Sequence, residues 1–169
     1  MCKQLSEVLL MKRETLFLKL AVFLMGLPVL ALCIFVLPKI AAFFAALYPK
    51  FAHLQYPFLA GLYITALVFF AALYQTFKLL TYIDKNEAFS ELSVASLKYI
   101  KYCAVIIGAF YIAFLPLIYL MAEADDAPGM IIIGMTIIFG CMVIAVFAAV
   151  LQKLLQNAIA IKSENDLTI

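Results

Sequence analysis

The chain has 169 residues, of which 68% are hydrophobic and 13% charged, and its mean hydropathy is +1.14. So little polar surface cannot coat a water-soluble domain of this size, which places the chain in a bilayer. A net charge of +2 with no dense basic tract excludes a nucleic-acid surface, so the informative quantity is where the charges fall along the chain.

Lys3, Lys12, Arg13 and Lys19 precede an apolar run from Leu20 to Leu37 in which the thiol of Cys33 is the only ionisable side chain. The run exceeds the hydrophobic core of a secretion signal, no small-residue cleavage site follows, and three more apolar runs come later. It therefore reads as an uncleaved first span over 20–37. Ahead of it, Leu5, Val8, Leu9 and Leu16 suggest a short amphipathic helix lying on the membrane surface. Met11-Lys-Arg-Glu offers an alternative start.

From Pro38 to Pro57 the chain is aromatic and alanine-rich, and Pro49 keeps it from spanning. Tyr48, His53 and Tyr56 suit the headgroup layer, where a ring lies in hydrocarbon and its polar tip stays wet. His53 is the single histidine, and without a second ligand nearby it reads as an interfacial ring rather than a metal ligand or pH sensor.

The second span covers 58–77 and runs into Gln75, Thr76 and Lys78. It gives way to Tyr82-Ile-Asp-Lys-Asn-Glu-Ala-Phe-Ser-Glu91, the one strongly hydrophilic stretch in the middle of the chain. Asn86 suits a left-handed helix terminator. Ser90 suits the N-cap of the next helix, and Glu91 favours the positive end of its dipole. Phe89 is placed to pack on Val94 as a hydrophobic staple. Phe89, Ser90 and Val94 are thus expected to make a rigid corner, followed by a helix bearing Lys98 and Lys101.

The third span covers 103–122, with Pro116 expected to kink it. Glu123-Ala-Asp-Asp-Ala-Pro-Gly129 reads as a solvated turn, because its carboxylates lack the alternating oxygen ligands of a calcium loop. The fourth span covers 130–151. Cys141, Ala145 and Ala149 form a small-residue stripe in it, and Ala104 with Gly108 offer another in the third span. In the tail, 152–169, Gln152, Lys153, Gln156 and Asn157 alternate with Leu151, Leu154, Leu155, Ala158 and Ile161 at helical spacing. Its apolar face is free to pack on the loop helix, lie on lipid or receive a partner.

The expected architecture is an all-α membrane protein: one domain, a four-transmembrane-helix bundle with short interfacial helices. With both termini and the loop over 78–101 in the cytosol, ten of the twelve Lys and Arg residues lie inside, and only Lys39 and Lys50 lie outside. That asymmetry sets the expected orientation in a bacterial cell membrane.

The spans carry no Asp, Glu, Lys, Arg or His, the groups that mark proton relays and ion pathways. Tyr63, Thr65, Tyr74, Tyr111, Tyr119 and Thr136 supply hydrogen bonds between helices and a poor basis for coupled transport. There is no phosphate-binding glycine loop and no zinc motif. The four cysteines follow no metal spacing, and Cys33, Cys103 and Cys141 sit in apolar runs. The expectation is a protein that is not an enzyme and carries no cofactor or metal.

Ile83-Asp-Lys-Asn-Glu-Ala-Phe-Ser90, Leu97-Lys-Tyr-Ile-Lys101 and the ending Ala158-Ile-Ala-Ile-Lys-Ser-Glu-Asn-Asp-Leu-Thr-Ile169 resemble the DUF2975 family of small bacterial four-span membrane proteins. The resemblance runs from about Met11 to the end. Members of that family are often encoded beside a small helix-turn-helix regulator of the Cro/C1 type. It therefore implies a membrane protein paired with a cytosolic DNA-binding protein, with no direct nucleic-acid contact of its own and no catalytic residues.

The residues expected to meet such a partner are Asp84, Lys85, Asn86 and Glu87 in the loop, with Glu164, Asn165, Asp166 and Leu167 in the tail. Exposed ion pairs contribute little singly, so an apolar anchor such as Leu167, Ile169 or Phe89 is required. The rival reading is a small-solute permease or a protein that protects against a membrane-active peptide. Self-association into a homo-oligomer stays open.

Overall fold

The computed structural model describes residues 2–39, 42, 55–85, 87–124 and 126–166. Among them the chain is helical. Helix α1 spans Cys2–Ala31 and continues through a π-helical turn, Leu32–Val36, to residue 39; α2 spans Gln55–Asp84, α3 Glu91–Ala124 and α4 Gly129–Asp166. Four stretches are long and apolar enough to cross a membrane: Thr15–Lys39, Phe58–Asp84, Glu91–Leu120 and Gly129–Glu164.

These helices outrun the spans read from hydropathy because nothing at the membrane surface stops them. Lysines and glutamines are good helix formers, so α3 and α4 pass through Lys98, Lys101, Gln152 and Lys153 without a break. At 1.5 Å per residue α4 is about 57 Å long, against a hydrocarbon core of about 30 Å. The short interfacial helix expected at the N-terminus is therefore an extension of the first spanning helix, while the helical pattern read beyond Leu151 continues the fourth without a break. Pro116 is likewise accommodated within an unbroken α3, and Pro28 within α1.

The helix ends are closed by their own backbone. At the end of α2 the Glu87 N–H reaches the Tyr82 carbonyl at 2.9 Å, and at the end of α3 the Ala127 N–H reaches the Ala122 carbonyl at 2.9 Å. Both are the six-to-one bond of a Schellman ending. In the second of these, Asp126 takes the left-handed position with φ 51°. The expected terminator of the first, Asn86, lies outside the described residues, as do Tyr48 and His53.

The principal contacts run in chain order, α1 on α2, α2 on α3, and α3 on α4. Small residues set each approach. A Cβ on Gly26 would sit 3.3 Å from Leu73 of α2; one on Gly61 would overlap the Phe110 ring of α3; one on Gly108 would sit 3.4 Å from Cβ of Cys141 in α4. Beside Gly61, the Phe110 and Phe114 rings stack at 4.3 Å, and Phe58 meets Phe114 at 5.8 Å. Ala104 and Ala148 are buried between α3 and α4.

The proximity of Ile118 to position 134, of position 108 to Cys141, and of Lys101 to Gln152 sets an antiparallel register for α3 and α4. Continued, it carries Val94 and Leu97, both buried, to positions opposite about 155–159. As far as residue 166 the tail lies alongside the start of α3. It runs on as one arm of a long helical hairpin.

Candidate functional site

The end of the molecule that carries the connection between α2 and α3 is termed the loop end. Most of its polar structure starts from Asp84, the last residue of α2. Thr15 and Lys19 stand one helical turn apart on α1 and so share a face. The Thr15 hydroxyl donates to Asp84 Oδ1 and the Lys19 ammonium donates to Asp84 Oδ2. The Lys19 and Asp84 side chains are 19% and 21% exposed, so water screens this pair much less than a surface one. Lys19 also stands 5.5 Å from the centre of the Phe77 ring, two turns back along α2. Asp84, expected as a partner contact, is thus bound by its own chain and latches α1 to α2.

The corner after Asp84 forms as the N-cap reading expects at Ser90. Its Oγ accepts from the Ser93 N–H at 3.3 Å, and its carbonyl accepts from the N–H groups of Ser93 and Val94 at 3.0 and 3.2 Å. Val94 is buried at 5%, but Phe89 stays 63% exposed, so most of its ring lies outside the corner it was expected to staple.

A side chain that the sequence reading passed over completes the corner. Ser93 is fully buried, and its hydroxyl donates to the Glu87 carbonyl at 3.2 Å while lying 3.3 Å from Ser90 Oγ. The signal was present as serines at three-residue spacing, Ser90, Ser93 and Ser96. Among the described residues no buried side-chain polar atom lacks a partner.

The remaining site residues separate into two groups. Lys85 and Glu87 are exposed in the loop, and Glu164 is exposed near the end of α4. Asn165 and Asp166 lie in the last turn of α4 by their backbone. Asn86 and Leu167 lie outside the described residues. The α3 and α4 register brings Glu164 to the same end as Lys85 and Glu87, and there the hairpin also exposes Phe89, Leu92, Tyr99, Leu154 and Ile161. Across the hairpin Lys101 donates to Gln152 at 3.3 Å. Among the described residues no group of three His, Cys, Asp or Glu side chains converges as a metal site.

The family model described as "Protein of unknown function (DUF2975)" matches residues 39–169. The chain is also 63% identical to the uncharacterized membrane protein YoaS of Bacillus subtilis (strain 168) over 158 residues, which is 94% of this chain and 99% of that protein. No solved structure matches. The motif that carries Asp84, the capped corner at Ser90 and the whole α3–α4 hairpin all fall inside the matched region. With four helices able to cross a membrane, the chain belongs to the DUF2975 family and is a membrane protein.

Proposed function

We propose that this protein is a non-enzymatic membrane anchor whose loop end faces the cytosol and holds a small soluble protein. The orientation rests on the ten-to-two distribution of basic residues. The observation that carries the reading is the helical hairpin that α3 and α4 extend beyond the bilayer. It holds Leu92 at 54% and Ile161 at 61% exposure, with Phe89 at 63% just before α3 begins, past the lysines Lys98, Lys101 and Lys153. Large apolar side chains outside both the core and the lipid are the anchors that a protein partner needs, and Lys85, Glu87 and Glu164 surround them with charge.

A small helix-turn-helix regulator is the partner class that the family resemblance implies. Such a partner would be sequestered or released at the membrane, while this chain touches no nucleic acid. The test is co-purification from membranes of the regulator encoded next door, using the full chain and a version ending at Ile161. Recovery with the full chain alone supports the reading, and equal recovery removes the tail from it.

A further inference from the structure

Three lysines, Lys98, Lys101 and Lys153, lie on one side of the α3–α4 hairpin at the loop end. The seam between these helices is drawn by Leu97, Ala104 and Gly108 on α3 and by Cys141, Ala148 and Gln152 on α4. At 100° per residue Lys98 and Lys101 lie to one side of that line on α3, and Lys153 and Gln156 lie to one side of it on α4. Because the helices are antiparallel, these two sides coincide. They face away from α2, toward which Ser93 and Ser96 turn. Lys101, hydrogen-bonded to Gln152, is the bridge between the two helices.

These lysines differ from Lys19, whose charge is met by Asp84. The nearest described acids on the hairpin are Glu91 and Glu164. They stand about 10 Å and about 16 Å further along the axis, on the side away from the membrane. Lys98 and Lys153 are exposed and pair with no carboxylate among the described residues. Immediately on the membrane side the same flank carries exposed Val105 and Met142, with the smaller Ala145 and Ala149 half-buried between them. A cationic cradle therefore stands over a shallow apolar groove. Tyr102, whose ring lies 5.1 Å from the Lys101 ammonium, adds an aromatic group at headgroup depth.

We propose that this flank is a binding site for an anionic phospholipid. Lys98, Lys101 and Lys153 hold the phosphate, and an acyl chain lies over Ala145 and Ala149. Such a lipid would brace the hairpin where it leaves the bilayer, supplying a counter-charge that no described carboxylate gives Lys98 or Lys153.

The experiment is native mass spectrometry of the purified full chain released from mixed micelles containing equal amounts of phosphatidylglycerol and phosphatidylcholine. Lys98→Gln/Lys153→Gln leaves the Lys101–Gln152 bond in place. Lys78→Gln is the control, because Lys78 is an exposed lysine at the same end of the molecule but on α2, over Tyr74 at 5.7 Å. The full chain should retain phosphatidylglycerol over phosphatidylcholine. The double variant should lose that retention by about tenfold or more, since each lysine near a charged headgroup changes affinity by about fivefold. Lys78→Gln should retain it. Equal retention of the two lipids, an unchanged double variant, or a Lys78→Gln loss as large as that of the double variant would each overturn the site.

Discussion

The two outer seams of the molecule are built on opposite plans. Helix α1 is clipped to α2 at separated points: Thr15 and Lys19 on Asp84 at the loop end, Gly26 against Leu73 in the middle, and the Tyr63 hydroxyl donating to the Cys33 carbonyl at 3.1 Å within the π-helical turn. Helices α3 and α4 are instead joined along their length, with Ala104, Gly108, Cys141 and Ala148 in close contact and Lys101–Gln152 beyond them. In lipid no hydrophobic force gathers helices, so association rests on close packing and on hydrogen bonds. A clipped seam concentrates its stability in a few groups. A packed seam spreads it.

Three of the four native cysteines make this difference measurable, because Cys33 lies in the π-helical continuation of α1, Cys103 on α3 and Cys141 on α4, and these three are free. The largest effect is expected from Gly108→Leu, which inserts a side chain where a Cβ alone would already touch Cys141. It should cost about 3 kcal/mol and raise maleimide labelling of Cys141, with little change at Cys33. Asp84→Asn comes next, at about 1.5–3 kcal/mol, because it strands the Lys19 charge beside Phe77. Its labelling pattern should be the reverse, with Cys33 opening while Cys103 and Cys141 stay protected.

Ser93→Ala removes the buried donor to the Glu87 carbonyl and should lower the unfolding midpoint in detergent by the equivalent of about 1–2 kcal/mol. It acts on the corner rather than on either outer seam, so labelling should rise evenly at the three thiols. Tyr63→Phe is the mildest, at about 1 kcal/mol or less. It should free the π-helical turn alone and raise Cys33 labelling without moving the midpoint measurably. Equal labelling profiles for Gly108→Leu and Asp84→Asn would erase the distinction between the seams.

What the residues disclosed in advance follows the same division. The four spans, Ser90 as a cap and the small residues at 104, 108 and 141 were legible, because hydropathy, capping and small-residue spacing are local signals. The Lys19–Asp84 latch was not, because its partners are far apart in sequence. Only the antiparallel pairing of α1 with α2 brings that lysine and that carboxylate to the same depth. Phe89 erred for a related reason. A local staple pattern was present, but burial of Val94 is decided by the helices packed around it. The helices run past the spans because hydropathy marks where lipid stops and says nothing about where backbone hydrogen bonding does, whereas the ends at Asp84 and Glu91 were legible from turn and capping residues.

For the candidate partner face, Lys85, Glu87 and Glu164 keep the exposure that a contact needs, whereas Asp84 serves the fold. In this chain the loop therefore places a bound carboxylate next to exposed charges. Its aspartate ties down the first helix, and Lys85 and Glu87 beside it are exposed.

The latch is tested most directly by a double-mutant cycle on Lys19→Gln and Asp84→Asn, read by reversible unfolding in detergent micelles together with Cys33 labelling. If the two groups act as one, each single change costs about 1.5–3 kcal/mol and the double change costs no more than the larger single, with Cys33 equally exposed in all three variants. Losses that add, or a Cys33 that stays protected when Asp84 is replaced, would contradict a latch between α1 and α2.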